Sequence, residues 1–309
     1  MWALPIYYTI ILVASVMFDL TLGEPRGLLI RIHPVVITGS IARRLFKPGS
    51  KLLGVFLWLV SVVPVLLAYY LVPRVLMIVN AVVGIIVYAY VLKLTFSIRL
   101  MRGYVKEILR SIEAGDLDNA RSLTQEIVRR NVWELDTQHL VSAVIESLAE
   151  SFVDGYLSPL FYFAILGLPG ALLQRLSNTM DSMVGYRGWP YEGVGWFSAR
   201  VDTALNYIPA RLSSLIILLA SGLIGLDWKG SITVALREHR NVGSINSGWP
   251  MASFAGALGV MLEKVGVYRI NDGAPGPDVT MLRAALRLFD FSVIISLVTV
   301  SYTHLTLPT

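Results

Sequence analysis

Cysteine is absent from the chain, which excludes catalytic thiols, thiolate metal sites and disulfide bridges together. Histidine is scarce. The four present stand at positions 33, 139, 239 and 304, too far apart for the i,i+4 pairs that hold zinc on a helix. Charged residues make up only 15% of the chain, against about 25% in soluble domains. No G-x-x-x-x-G-K-[ST] loop and no convincing dinucleotide fingerprint occur, so a standard nucleotide-binding domain is excluded. Internal repeats and low-complexity tracts are missing as well. The first apolar stretch has neither a basic leading segment nor a small-x-small cleavage site, and so reads as a retained span, not a signal peptide.

What the chain has in quantity is long apolar runs. Hydrophobic residues reach 55% of its 309 positions and the mean hydropathy is +0.64. About 20 apolar residues cross a hydrocarbon core of about 30 Å. Residues 52–72 carry no charge over 21 positions, 75–92 run uncharged to Lys93, and 2–18 run uncharged to Asp19. Residues 155–174 are uncharged, and 203–226 contain only Arg211. Five such runs predict an all-α fold, a polytopic transmembrane helical bundle. The net charge of +5 then reflects basic cytoplasmic loops, and no nucleic-acid partner is expected. The loop after the first run carries Arg26, Arg31, Arg43, Arg44, Lys47 and Lys51, whereas a short loop at 72–74 carries one basic residue. The N-terminus is therefore expected outside, with 20–51 and 99–140 in the cytoplasm of a cell-membrane protein.

Residues 1–300 read as a single membrane-embedded catalytic domain, interrupted at 99–137 by a cytoplasmic helical hairpin. In that insertion Ile108 and Ile112, then Leu123 and Ile127, recur at helical spacing, and residues 113–118 supply a turn and a new N-cap. Residues 155–176 are broken by Pro159, Gly167, Pro169 and Gly170, as either a kinked span or a re-entrant hairpin. Residues 241–262 read as a loop followed by a tightly packed helix of small residues, and 291–300 as a short final apolar run. The ending 301–309 is atypical of a natural terminus, reads as a cloning or assembly scar, and is set aside from functional reasoning.

Polar residues gather beside these runs. Glu146, Glu150 and Asp154 recur at steps of four, which drift only about 40° per step and put three carboxylates on one helical face. Like charges at that spacing destabilise a helix modestly. The stripe is thus either a solvated face at the membrane surface or a site for a divalent cation or polar substrate. Three further clusters follow. The first is Asn178-Thr-Met-Asp181-Ser-Met-Val-Gly185-Tyr186. The second is Ser198-Ala-Arg200-Val-Asp202, continued through Asn206 to Arg211. The third is Asn246-Ser-Gly-Trp-Pro250. Carboxylate and amide oxygens without thiols or dense histidine favour a hard cation such as Mg²⁺, usually shared with phosphate oxygens. Arg200 and Arg211 suit phosphate or carboxylate. The alternatives are plain as well: Asp202 neutralised by Arg200 or Arg211, Asn178 and Asn206 as interhelical hydrogen-bond glue, and His33 and His239 as structural residues.

The order of these motifs resembles the adenosylcobinamide-phosphate synthase family of cobalamin biosynthesis (CobD/CbiB type). The resemblance runs from Asp19-x-x-x-Gly23-Glu24-Pro25 and His33-Pro34 through the Glu146–Gly155 run and the Asn178 and Ser198 clusters. It continues through Gly248-Trp-Pro-Met-Ala252 to the stretch Gly256–Tyr268, about residues 15–270. One departure stands out: the family often has His-Pro-Ser-Pro-Asn before Gly-Trp-Pro, whereas this chain has Val242-Gly-Ser-Ile-Asn246, so only Asn246 carries over. The resemblance implies an acid–amine ligase that joins aminopropanol or its O-phosphate to the propionate carboxylate of adenosylcobyric acid, with ATP as co-substrate and Mg²⁺ as cofactor. On that reading Glu146, Glu150, Asp154 and Asp181 are catalytic, with Mg²⁺ on Glu150, Asp154 and Asp181. Asn178, Arg200, Asp202, Asn206, Arg211 and Asn246 bind substrate. The lipid bilayer and other corrin-pathway enzymes are the expected partners. A corrinoid or cation transporter and a membrane scaffold for corrin enzymes are the alternative classes.

Overall fold

The computed structural model describes residues 3–306, with side chains from residue 7; residues 307–309 of the atypical tail and Trp2 of the first apolar run lie outside them. The described residues form helices throughout, apart from one two-stranded sheet. They fall into two compact units: one of residues up to 98, 154–206 and from 299, the other of 99–153 and 207–298.

In the first unit, α1 (Ala3–Leu22) leads through a 3₁₀ turn into α2 (Pro34–Leu45), which is capped by His33, whose Nδ1 accepts the Val35 N–H at 3.2 Å. Helix α3 (Lys51–Val79) runs for 29 residues, about 44 Å at 1.5 Å per residue. The loop expected at 72–74 does not form. Pro64 and Pro73 both lie inside α3, as apolar helices tolerate when neighbours keep the rest of the ladder intact. The break comes instead at Asn80, whose carboxamide caps α4 (Ala81–Lys93) through the Val83 N–H at 3.2 Å. Along α3, Leu52, Phe56, Leu59, Val63, Leu67, Leu71, Val75 and Ile78 are exposed at helical spacing. So long an apolar stripe is untenable in water and suits lipid.

The broken stretch 155–176 is a hairpin. A wide π-type turn (Val153–Leu157) opens onto α8 (Ser158–Leu166), only nine residues and about 14 Å long. Gly167, at φ 66° and ψ −155°, takes a positive-φ conformation that favours glycine and reverses the chain into α9 (Leu168–Val184). The return is close: a Cβ on Gly170 would lie 2.5 Å from the Tyr162 carbonyl oxygen. At the base Ser97 N–H donates to the Gly155 carbonyl at 3.1 Å, and at the tip Leu168 N–H donates to the Tyr88 hydroxyl at 3.2 Å. The hairpin therefore enters beside the C-terminal end of α4 and turns back beside its middle. Its reach is about half of a hydrocarbon core.

Helix α10 (Glu192–Leu223) starts three turns earlier than the uncharged run suggested and carries Pro209 within it. Its first turns approach α3 so closely that a Cβ on Gly54 would sit 2.1 Å from the Val194 carbonyl oxygen. Gly54→Ala should therefore force backbone apart, at a cost of about 1–3 kcal/mol or more. We expect lower thermal stability and less monodisperse protein in detergent by size-exclusion chromatography; an unchanged melting temperature would refute this packing.

In the second unit, α5 (Ile98–Glu113, its first residue belonging to the first unit) and α6 (Leu117–Ile127) are joined by a short turn, with Asp116 capping α6 through the Asn119 N–H at 3.0 Å. Asp136 caps α7 (Thr137–Phe152) in the same way. Helix α11 (Trp228–Glu238) packs against α12 (Gly248–Leu258), which is buried at nearly every position, as its small residues allow. Strands β1 (Leu262–Lys264) and β2 (Tyr268–Ile270) pair antiparallel and lie on α7. Three residues per strand are too few to show alternation, so the all-α expectation missed them. Helix α13 (Val279–Thr306) replaces the short final run with 28 residues. Two of the three charges that interrupt its hydropathy are paired: Asp290 with Arg102 at 2.7 Å, and Arg283 with Glu113. By length and composition α3, α10 and α13 can each cross a membrane, and a fourth crossing exists if α4 and α5 act as one bent span.

Candidate active site

The acidic helix α7 separates its carboxylates by environment. Glu146 is buried and fully engaged: Oε1 accepts from Arg130 at 3.1 Å and from the Ser142 hydroxyl at 2.8 Å, while Oε2 accepts from the Tyr268 hydroxyl at 2.6 Å. Ser142 in turn accepts the Glu263 N–H at 2.9 Å, tying β1 to the same group. Glu150, one turn on, keeps its carboxylate accessible. The protein mass around it and the Glu146 charge push its pKa up, against a hydrogen bond from Ser247 and the charges of Lys264 and Arg129. One carboxylate is thus clamped, and its neighbour is exposed with its pKa raised.

Asp154 does not continue the helical stripe. Helix α7 ends at Phe152, and Asp154 lies in the π-type turn, where i→i+5 geometry breaks the 3.6-residue period that placed it in register. It belongs to the first unit, with Asn178, Asp181, Arg200, Asp202 and Asn206.

There a chain of side-chain amides converges on one carboxylate. Asp202 Oδ1 accepts from Asn178 at 3.2 Å and from Asn206 at 3.0 Å, and Asn206 Oδ1 accepts from Gln174 at 3.1 Å. Gln174 and Asn178 project from α9, Asp202 and Asn206 from α10, each pair one turn apart. Asp181 lies close enough for its charge to act on Asp202. The alternative of Asp202 paired with Arg200 or Arg211 is absent, and both asparagines make interhelical hydrogen bonds, Asn178 to Asp202 and Asn206 from Gln174, while the Asn206–Asp202 bond lies within α10.

A second ionic group in this unit escaped sequence reasoning as a site. Lys93 is wholly buried, 2.8 Å from Glu24 and 3.7 Å from Asp19. His33 Nε2 faces the other Glu24 oxygen at 3.5 Å, and Asp19 Oδ2 accepts the Ile98 N–H at 3.1 Å. Burial alone would raise the Glu24 pKa, but hydrogen bonds with His33 and Lys93 and the Lys93 charge overcome it and hold the group at about 2. The signal was present: Asp19, Glu24 and His33 stand in the motifs quoted above, and Lys93 ends an uncharged run, where it was counted as a boundary.

Among the described residues no three His, Cys, Asp or Glu side chains gather as a metal cage. Mg²⁺ rarely needs one, since it is commonly held by one or two carboxylates plus substrate phosphates, and carboxylate oxygens are of the hard type it prefers.

A profile of the CobD/Cbib protein family matches residues 12–289. The chain belongs to the CobD/Cbib family. Among curated members it is similar to the probable cobalamin biosynthesis protein CobD of Aeropyrum pernix, at 40% identity over 86% of this chain and 83% of the relative. That of Methanothermobacter thermautotrophicus matches at 36% identity over 96% and 98%, and the CobD of Dehalococcoides mccartyi at 38% over 85% and 86%. No solved structure matches.

The two arginines quoted from the motifs of this CobD/Cbib chain differ in setting. Arg200 is exposed. Arg211 is held: its guanidinium lies 3.4 Å from the Tyr207 ring centroid and 5.4 Å from that of Trp249, and it donates to Asn246 Oδ1 at 3.2 Å. Trp249 is stacked in turn on His239 at 4.0 Å, which fits the structural reading of that histidine. Asn246, the surviving residue of the altered loop, is buried beneath this stack.

Proposed function

We propose that the chain serves cobalamin biosynthesis as a membrane-embedded acid–amine ligase that joins aminopropanol or its O-phosphate to the propionate carboxylate of adenosylcobyric acid. Family membership and the names of the relatives support the pathway; the observation that carries the chemistry is the Glu146–Glu150 pair. Amide formation needs the amine unprotonated, and an accessible carboxylate whose pKa is raised by the protein mass around it and a like charge is a suitable acceptor of that proton. Glu150 takes this role, and Glu146 positions it by holding charge one turn away. ATP supplies the driving force by making the carboxylate an acyl phosphate, from which the amine displaces phosphate. Asp181 and Asp154, with Asp202, are the first unit's candidates to hold Mg²⁺ on the nucleotide. Asn178 and, through Asp202, the buried Asn206 position substrate there, and Arg211, braced by its aromatic stack, and Arg200 serve anionic groups.

The short α8–α9 hairpin supports a re-entrant reading, in which Asp154 before it and Asp181 after it stand at one membrane face. With basic loops at 20–51, that face is the cytoplasmic one, where ATP is available; the charge-rich residues 99–137 are cytoplasmic by the same loop-charge rule and serve as a docking element for other corrin-pathway enzymes. The test is direct. Membranes carrying the chain are incubated with adenosylcobyric acid, aminopropanol phosphate or aminopropanol, and Mg²⁺-ATP, and the amide mass is sought. We expect substrate-dependent product. Corrinoid uptake into vesicles with no change of mass would sink the ligase and favour transport.

A further inference from the structure

Arg175 lies on α9 three residues before Asn178, in a part of the first unit that the roles above leave unused. Its side chain is half-buried and its Nε is shut off from solvent, yet among the described residues it donates no hydrogen bond and forms no ion pair. Two carboxylates act on it at longer range, Glu24 more strongly than Asp154. Glu24 is already engaged by Lys93 at 2.8 Å. Lys93, wholly buried, meets its counter-charge at contact distance, whereas the half-buried Arg175 has none at that range. Only the Nε edge of the guanidinium is shut off, so its terminal nitrogens remain open to a ligand, and its planar fork of five donors matches carboxylate and phosphate oxygens. The neighbouring residue shows a gap of its own. Gln174 is wholly buried and donates to Asn206, while its own Oε1 meets no donor. Being consecutive on α9, the two side chains leave the helix on different faces, so the Gln174 gap is separate and the case for a ligand rests on Arg175, whose shut-off Nε has no acceptor.

We propose that Arg175 binds an anionic oxygen group of a substrate, a phosphate or a carboxylate. This rests on the ligase reading, which offers three sources of that chemistry: ATP, aminopropanol phosphate and the propionate of adenosylcobyric acid. The test uses the full chain in detergent as wild type, Arg175→Met and Arg175→Lys, with KM and kcat measured for each substrate in turn. A charge-assisted contact predicts a KM about 10- to 100-fold higher in Arg175→Met for one of them, partly restored in Arg175→Lys. A rise for aminopropanol phosphate but not for free aminopropanol assigns the amino-alcohol phosphate; a rise for ATP or for adenosylcobyric acid assigns those groups instead. Unchanged KM for every substrate in a folded, active Arg175→Met overturns the proposal and leaves Arg175 a counter-charge. Should Arg175→Met not fold, Arg175→Lys decides alone, with at least a threefold rise for one substrate required. Absence of product from the wild type would refute only the ligase. Protection against thermal unfolding by inorganic pyrophosphate or acetate then decides: protection of the wild type that Arg175→Met or Arg175→Lys loses supports the inference, and equal or no protection overturns it.

Discussion

Glu150→Gln is expected to lower the rate of amide formation by about 10²- to 10⁴-fold, the range of a lost general base, with the protein still folded. The change is isosteric and its site is accessible, so the loss should fall on kcat more than on expression. The pH profile carries the finer prediction. Glu150 acts as a base only when ionised, and its surroundings and the Glu146 charge raise its pKa. Wild-type activity should therefore rise with pH along an acid limb that lies above the ordinary carboxylate range, and Glu150→Gln should lose that limb. Glu146→Gln acts in the opposite sense. Removing the like charge lets the Glu150 pKa fall, so the acid limb should move to lower pH in whatever fraction folds. That variant also strands Arg130, which donates to Glu146 at 3.1 Å, and should lose stability by a few kcal/mol. Near-normal turnover in Glu150→Gln, or an acid limb that stays in place in Glu146→Gln, would remove Glu150 from the chemistry.

How much of this was legible beforehand depended on which physical signal each feature emits. Helices α3, α10 and α13 owe their existence to hydropathy, which composition reports well, but their limits answer to pairing and capping. Pro73 with Arg74 looked like a loop, yet the chain breaks at Asn80, because a carboxamide that caps the next helix outweighs a proline in an apolar helix. The run 291–300 looked too short because Arg283, Arg287 and Asp290 interrupt it in sequence; at least two of these find partners, and a partner is a tertiary fact. The Asn178–Asp202–Asn206 network was visible as residues one helical turn apart, and the fold supplies what spacing could not, namely that α9 and α10 bring them to one oxygen. Asp154 shows the converse. Its step of four from Glu150 is real in sequence and is undone by a π-type turn that no residue pattern announced. Arg175 was overlooked because its oddity is the lack of a partner, which only coordinates reveal.

The largest stability effect is expected at Lys93. Its ammonium is wholly buried against Asp19, itself buried, and Glu24, which is partly exposed, so Lys93→Met removes the compensation and leaves one buried and one half-buried carboxylate without their cation. Breaking a buried pair in this way costs about 3–5 kcal/mol, enough to cut the yield of folded protein at neutral pH. The pH dependence gives the sign. Glu24 sits at about 2 in the folded chain against 4.5 in its absence of partners, so its contribution is complete above about pH 4.5 and drains away as pH falls towards 2. At full extent that contribution is about 3 kcal/mol. In Lys93→Met the group no longer has its cation, its folded pKa climbs, and protonation relieves the strain instead of adding to it. Thermal unfolding in detergent between pH 7 and pH 3 should then show wild type and Lys93→Met far apart at neutral pH and converging in acid. The double variant Lys93→Met with Glu24→Gln should recover part of the loss at pH 7, because the stranded charge goes with its partner. A gap that stays constant across that range, or a double variant no better than the single one, would mean that Lys93 matters through its packing and not through its charge.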